Sequence, residues 1–291
     1  MARITVGMPV YNGAATLDRA IAGLEAQTRG DFVVIAADNG STDGTAEALD
    51  AWAARDSRVT VHRHDENIGA LGNFSYVLDL AETDYFMWHA CDDWLSPNYL
   101  DRLYAMLDAN RDCALACANA TRVEMDGSPK SRNATRPCPD FAERARRSRI
   151  VALLRRPEAV WIYGLFRTAR LRAVQEVATE FGYVWASDRL MLLPFILGDL
   201  IRGVPEAHFY SEVTDTSSQL YRPASLGARF RFMARYLVFT IRIYQASGLS
   251  LFDKLVLLPW LLWHTSRTSR SGFYRFNLKR SFKIAVGWAI K

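Results

Sequence analysis

The chain has 291 residues, half of them hydrophobic and 23% charged, which excludes a disordered chain and allows one large domain or a domain with an appendage. Its four cysteines (Cys91, Cys113, Cys117 and Cys138) are too few and too irregular for a disulfide framework, and no Cys/His pair joins Cys113 and Cys117 to complete a zinc set. The net charge of +5 hides an asymmetry: residues 222–291 carry +12 and residues 1–221 carry −7, so the tail calls for an anionic partner.

Residues 3–9 read as a strand stopped by Pro9, with no apolar signal segment before it. Together with reduced thiols, this points to a cytoplasmic compartment. Leu17, Ile21 and Leu24 set a helix over residues 14–28. The unbroken apolar run Phe32 to Ala37 predicts a strand buried on both faces. Asp43 to Ala54 is a helix, Val59 to Val61 a short strand, and residues 70–81 a helix. Tyr85 to Trp88 form a fourth strand. Pro97 to Leu107 form a helix, with Ser96 at its cap and Pro97 at its first position.

Strands and helices thus alternate four times in about a hundred residues, the pattern of a parallel α/β sheet. Ligands of such sheets sit beyond the carboxyl ends of the strands. The polar clusters fall there: Tyr11-Asn12, then Asp38-Asn39-Gly40-Ser41, then Asn67, then Asp92-Asp93. Beyond them, 114–123 reads as a fifth strand and 126–140 as a loop rich in turn formers. Residues 141–155 are basic and helical, 160–167 are strand-like, and 186–197 are a helix with Asp188 near its start. Glu206, His208, Tyr210 and Asp215 mark a later polar strand or loop. Helical patterns predominate from about Ser225.

Adjacent carboxylates at Asp92-Asp93 suit a hard divalent cation, Mn2+ or Mg2+, which would bridge the phosphates of a nucleotide. Taken alone, the pair reads first as an acidic helix start. Asp38 suits a base edge or a ribose hydroxyl. Neither a P-loop lysine nor a Gly-x-Gly-x-x-Gly motif is present, which excludes both of those nucleotide-binding modes.

Pro9-Val10-Tyr11-Asn12, Asp38 to Thr45, Asn67-Ile68-Gly69 with Asn73, and Cys91-Asp92-Asp93-Trp94 with Pro97 resemble, in order and spacing, the inverting family-2 glycosyltransferases through about residue 110. The resemblance implies an α/β, GT-A (Rossmann-like), mostly parallel sheet flanked by helices. It implies a donor wall at Pro9, Tyr11 and Asn12, a base-binding Asp38, and a donor-site lining at Asn67, Gly69 and Asn73. Asp92 and Asp93 match the last two positions of the family's Asp-x-Asp-Asp pattern, with Asp92 as the preferred metal ligand. The first Asp of that pattern is Ala90 here. His89 lies beside the pair, either touching the donor or packing the strand end.

Inverting transfer needs a general base for the acceptor hydroxyl. Trp185-Ala186-Ser187-Asp188-Arg189 resembles the family's base site, with Asp188 as the base and Ser187 where the family has an acid. Trp161, Tyr163, Arg167 and Trp185 resemble an acceptor side, although a core strand would look alike. The expected organisation is a GT-A domain over 1–221, with nucleotide-sugar (1–110) and acceptor (111–221) parts, and a basic amphipathic helical region over 222–291.

In that region, the segments around Tyr236–Tyr244 and Leu249–Trp263 fall short of the ~18 uninterrupted apolar residues of a membrane span. With Trp260, Trp263, Phe273, Tyr274, Phe276 and Trp288, and with Arg267, Arg270, Arg275, Lys279, Arg280 and Lys283, they suit an anionic membrane surface at the inner face of the cell membrane. A helical subdomain packed on the core, with or without a homo-oligomer interface, fits the same pattern. No recognition motif accompanies the charge, so nucleic acid is not an expected partner. The combined reading is a peripheral enzyme that moves sugar from a nucleotide-sugar to a lipid-linked glycan. A nucleotidyltransferase of similar fold and a catalytically degenerate glycan-binding scaffold remain as rivals.

Overall fold

The computed structural model describes residues 2–124, 126–132, 134–139, 144–212 and 221–269. Asp215 and the tail residues from Arg270 onward, including Phe273, Tyr274, Arg275, Phe276, Lys279, Arg280, Lys283 and Trp288, lie outside these.

The first half alternates as the periodicity predicts: β1 (Ile4–Val10), α1 (Leu17–Glu25), β2 (Phe32–Asp38), α2 (Thr45–Arg55), β3 (Val59–Arg63), α3 (Gly69–Asp79), β4 (Tyr85–Trp88). Then come β5 (Asp93–Leu95), α4 (Tyr99–Ala109), β6 (Leu115–Val123), β7 (Thr135–Arg136), α5 (Arg146–Arg155), a 3-10 turn (Ala159–Tyr163) and β8 (Leu165–Arg167). The order closes with α6 (Thr168–Phe181), α7 (Ser187–Gly198), β9 (Ile201–Glu212), α8 (Leu226–Ala246) and α9 (Leu251–Ser269).

One sheet runs β3-β2-β1-β4-β8-β6-β9-β5, with β7 added to β6. Its β3-β2-β1-β4 half is parallel; β8 enters antiparallel to β4 and β6, and β9 returns parallel to β6. The pleat sends alternate residues to opposite faces. Tyr85 and Met87 of β4 enter one core with α1, α2 and α4, while Phe86 and Trp88 enter a second core with α3, α5, α7 and α9. Gly7 faces the second core so closely that an added Cβ would lie 2.6 Å from the Phe86 ring and 2.8 Å from Val77.

Several local expectations change. β1 runs through Pro9 to Val10, and Pro9 pairs with Ala37. Proline removes a ladder donor, but β4 is in register with β1 only as far as Gly7, so no strand on that side lacks a partner. α4 starts at Tyr99, not Pro97: Ser96 donates to Asn98 Oδ1 instead of capping, and Gln27 Oε1 accepts the Leu100 N–H from a different helix end. The apolar run at 160–167 splits into the 3-10 turn and three residues of β8. Thr168–Phe181, which no earlier pattern marked, is a helix.

Residues 226–269 form two helices packed on the same body. Tyr244, Leu257 and Leu261 are buried in the second core beside Leu153 and Leu154 of α5. The opposite faces are exposed: Leu226, Phe230, Leu237 and Ile241 on α8 are 39–62% exposed. Leu251, Leu255, Leu258 and Leu262 on α9 are 42–77% exposed. Both sets recur at helical spacing. No helix among the described residues is long and apolar enough to cross a membrane.

Candidate functional site

The loops at the carboxyl ends of β1, β2 and β3 are stitched together by short polar side chains. Asn12 bonds in both directions, its N–H donating to Ser41 Oγ (2.9 Å) and its Oδ1 accepting from Thr42 N–H (2.9 Å). Gly13 N–H donates to Thr45 Oγ1 at 2.9 Å. Asn39 donates to Asn67 Oδ1 (3.0 Å) and accepts from Ile68 N–H (2.9 Å). Asn73, buried, donates to Ala37 O (2.8 Å) and lies 3.2 Å from His64 Nε2. Gly40, at φ 73°, lets this loop approach the chain at Glu66–Asn67. Asp38 is 3% exposed and accepts from Ser41 N–H. Asn67 and Asn73 therefore act on the loops themselves, whereas Tyr11, 50% exposed, stands open on the rim.

The acidic pair meets this rim directly. Cys91 Sγ would be 2.8 Å from a Cβ placed on Gly13, so the β1 loop rests on the turn that carries Asp92. The two carboxylates differ. Asp92 is half-buried. Asp93 is 3% exposed, sits in β5 opposite Ser211, and accepts from Glu212 N–H at 3.0 Å. Burial, then the Asp92 charge, push the Asp93 carboxyl well above the usual range, and burial raises Asp92 too.

Glu212 closes this group. It is 7% exposed, and its Oε2 lies 3.4 Å from Arg19 Nη1, whose guanidinium stacks 4.5 Å over Trp94. The sequence reading passed over Glu212, although it continues the two-residue period of Glu206, His208 and Tyr210 along β9. His208 itself bonds Thr121 Oγ1 at 2.6 Å within the sheet.

Among the described residues, no three His, Cys, Asp or Glu side chains converge as a closed metal cage. The donor set that exists is Asp92, with Asp93 partly engaged. Hard carboxylate oxygens with open positions suit Mg2+ or Mn2+ shared with phosphate oxygens, so the residues fit such an ion. His89 is fully buried with both ring nitrogens lacking a hydrogen bond, and burial drives its pKa down to about 4. It packs the strand end.

Beside the pair opens a cavity of about 730 Å3, lined by Trp88, Tyr163, Trp185 and Asp188 among others. Asp188 stands in the first turn of α7 and accepts from Arg189 N–H at 2.7 Å. Protein surrounds its carboxyl, and the surface it keeps faces the cavity; burial raises its pKa against the pull of Arg189. Ala186, at φ 66° and ψ 11°, turns the chain into α7. A left-handed non-glycine residue costs about 1–2 kcal/mol, and such strain gathers at functional sites. After burial, the charges of Asp93, Asp92 and Asp188 together raise the Tyr163 phenol, so all three lie within electrostatic range of it.

Two of the four acceptor-side candidates do not reach the cavity. Trp161 is 4% exposed and belongs to the second core. Arg167 donates to the carbonyls of Cys113 and Leu107 and to the Tyr85 hydroxyl, at the start of β4. That is the opposite end of the strand from Asp92. An alternating aromatic run gave no sign of the 3-10 turn that rotates Trp161 inward.

The Glycosyl transferase family 2 model matches residues 5–176. Among curated proteins, glycosyltransferase GlyG of Streptococcus pneumoniae is 30% identical over 126 residues, 43% of this chain and 42% of that protein. Abequosyltransferase RfbV of Salmonella typhimurium is 29% identical over 125 residues, 42% and 38% of the two chains. The chain thus spans about two fifths of the length of these relatives. Among solved structures, S. aureus TarS 1–349 in complex with UDP-GlcNAc superposes with a TM-score of 0.71 at 18% identity, over 94% of this chain and 75% of that one. Mannosyltransferase PcManGT from Pyrobaculum calidifontis, in complex with GDP-Man and Mn2+, gives 0.54 at 16% identity, over 99% and 80%. These superpositions give the fold as GT-A-like.

Proposed function

This chain belongs to glycosyl transferase family 2, and from that premise we propose that it moves a sugar from a nucleotide-sugar donor to a hydroxyl of a lipid-linked glycan, with inversion at the anomeric carbon. The observation that carries the reading is one cavity whose wall holds both Asp188 and Ser211, the strand partner of Asp93, so a carboxylate placed to act as base opens onto the space beside the acidic pair. The bound nucleotide sugars in TarS and PcManGT support a nucleotide-sugar donor here, and the Mn2+ in PcManGT supports a divalent ion.

In this mechanism the Tyr11–Asn12 loop and Asp38 flank the nucleotide, and Asn67, Gly69 and Asn73 hold the loops that shape its site. Asp92, with Asp93 behind it, would hold Mn2+ or Mg2+, which supplies charge neutralisation for the departing diphosphate. Pro9 stands at the end of β1 on the donor side, and Gly13 lets the rim approach that turn at Cys91. Asp188 accepts the proton of the acceptor hydroxyl as the oxygen attacks the anomeric carbon from the face opposite the leaving phosphate. Its raised pKa makes it a stronger base than a solvated carboxylate. Tyr163 and Trp185 line the acceptor cavity with ring faces suited to a sugar.

The exposed apolar stripes of α8 and α9, together with the +12 charge of residues 222–291, support docking on an anionic membrane at the cytoplasmic face. Thermal-shift screening of nucleoside diphosphates and their sugars, with and without Mn2+, tests the transfer reading. One nucleotide should stabilise the protein selectively and in a metal-dependent way. NMR of the product with that donor should show the opposite anomeric configuration. Retention of configuration, or no nucleotide binding at all, would overturn it.

A further inference from the structure

Among the described residues, the cavity beside Asp188 is lined by five arginines, Arg122, Arg136, Arg189, Arg222 and Arg267, against two acids, Glu158 and Asp188. The formal charge of these seven is +3 with both acids ionised. The arginines come from five separate places: β6, β7, α7, the segment before α8, and the last turn of α9. Four of them, Arg136, Arg189, Arg122 and Arg267, act on the Glu158 carboxyl, and Arg136 Nε lies 3.7 Å from its Oε2. Arg267 donates one N–H to Arg155 O and Arg189 one to Thr268 Oγ1, and both still line the cavity.

Like charges brought together repel unless a counter-charge sits among them. Glu158 supplies one, which leaves an excess for a ligand. Residues read as the donor site (Tyr11, Asp38, Asn67, Gly69, Asp92 and Asp93) do not line this cavity. The excess charge therefore faces the second substrate. A carboxylate has two oxygens, and one guanidinium fork satisfies both. Several forks around one space match the larger oxygen set of a phosphate.

We propose that the cavity recognises a phosphate group carried by the acceptor near the hydroxyl that is glycosylated, with Arg122, Arg136, Arg189 and Arg267 as its ligands and Glu158 as the resident counter-ion. The inference rests on the transfer reading above and names its acceptor class. The phosphate has two chemical sources, a phosphodiester within a polymer backbone or the diphosphate that joins a glycan to a prenyl lipid.

The test is calorimetry on the full chain, saturated with the nucleoside diphosphate and Mn2+ selected above. The probes are inorganic phosphate, glycerol 3-phosphate, bis(glycerol) phosphate, geranyl diphosphate, acetate and glycerol. Phosphate probes should bind alongside the nucleotide, about tenfold or more tighter than acetate or glycerol. Arg122→Gln with Arg136→Gln should weaken them about tenfold and leave nucleotide binding unchanged, whereas Glu158→Gln should tighten them. Stronger binding of the diester assigns the polymer source, and stronger binding of geranyl diphosphate the lipid source.

Phosphate that competes with the nucleotide, acetate that binds as well as phosphate, or an arginine variant that binds undiminished would overturn the proposal. A wild-type chain that takes phosphate but no nucleotide would instead sink the transfer reading and leave the phosphate site standing.

Discussion

Replacing Asp188 by Asn separates catalysis from stability. The substitution keeps shape and the Oδ1 acceptor, so the 2.7 Å bond from Arg189 N–H survives. What is lost is the ability to take a proton. A positioned general base contributes about 10²–10⁴ in rate, or ~3–5.5 kcal/mol of barrier.

Stability should move the other way. Burial raises the folded-state pKa of Asp188 above its unfolded value. The folded state then binds the proton more tightly. This contribution to stability is full below the ordinary carboxylate pKa and is lost as pH rises through the raised one. At neutral pH the ionised side chain is a net cost, which Asn removes. Asp188→Asn should therefore lose at least a hundredfold in kcat, bind donor as before, and melt at or above the wild-type temperature. The wild-type rate should fall on the acid side at a pH above the ordinary carboxylate range, and the variant's residual rate should lack that limb. Initial-rate kinetics across pH, with scanning calorimetry, read both. A variant within tenfold of wild type, or one that melts more than about 5 °C lower, would refute the assignment.

Asp92→Asn should abolish metal-dependent nucleotide binding with little change in melting temperature. Asp93→Ala should lose about 1–3 kcal/mol of stability because it orphans the buried Glu212 N–H; chemical denaturation separates the two. Gly7→Ala drives a methyl into Phe86 and Val77 and should cost about 1–3 kcal/mol by the same assay. Leu251→Glu with Leu255→Glu alters side chains 77% and 65% exposed, so the fold should hold while flotation with anionic liposomes is lost. Unchanged flotation would count against the membrane reading. Truncating the tail is a poorer test, because Leu257 and Leu261 belong to the second core.

The alternation of β1 through α4 was legible because each element carries its own period of apolar residues. β5 and the 3-10 turn were not, since their conformation depends on partners far along the chain: Asp93 pairs with Ser211, and Tyr163 stacks on Phe209 at 5.1 Å. The position of Asp92 could be read from the strand before it. The directions of Asn67, Asn73, Trp161 and Arg167 could not, because motif spacing fixes where a residue stands and packing decides where its side chain goes. The arginines of the cavity were invisible for a related reason. Arg122 and Arg267 are 145 positions apart and meet only in three dimensions.

The amide stitching of the rim also bears on how the protein ages. Two of its asparagines precede glycine, Asn12-Gly13 and Asn39-Gly40, the pairing most open to cyclisation and loss of the side-chain amide. Asn39 is 3% exposed and held by both ends of its amide, which keeps its carbonyl carbon from the following nitrogen. Asn12 stands exposed, with the oxygen of its side-chain amide held by Thr42 N–H and no hydrogen bond from the amide nitrogen among the described residues. Stored protein should therefore convert first at Asn12, as peptide mass spectrometry would show. The new carboxylate would stand near Asp43 on the edge of the proposed donor site, so old preparations should lose donor affinity before they lose their fold.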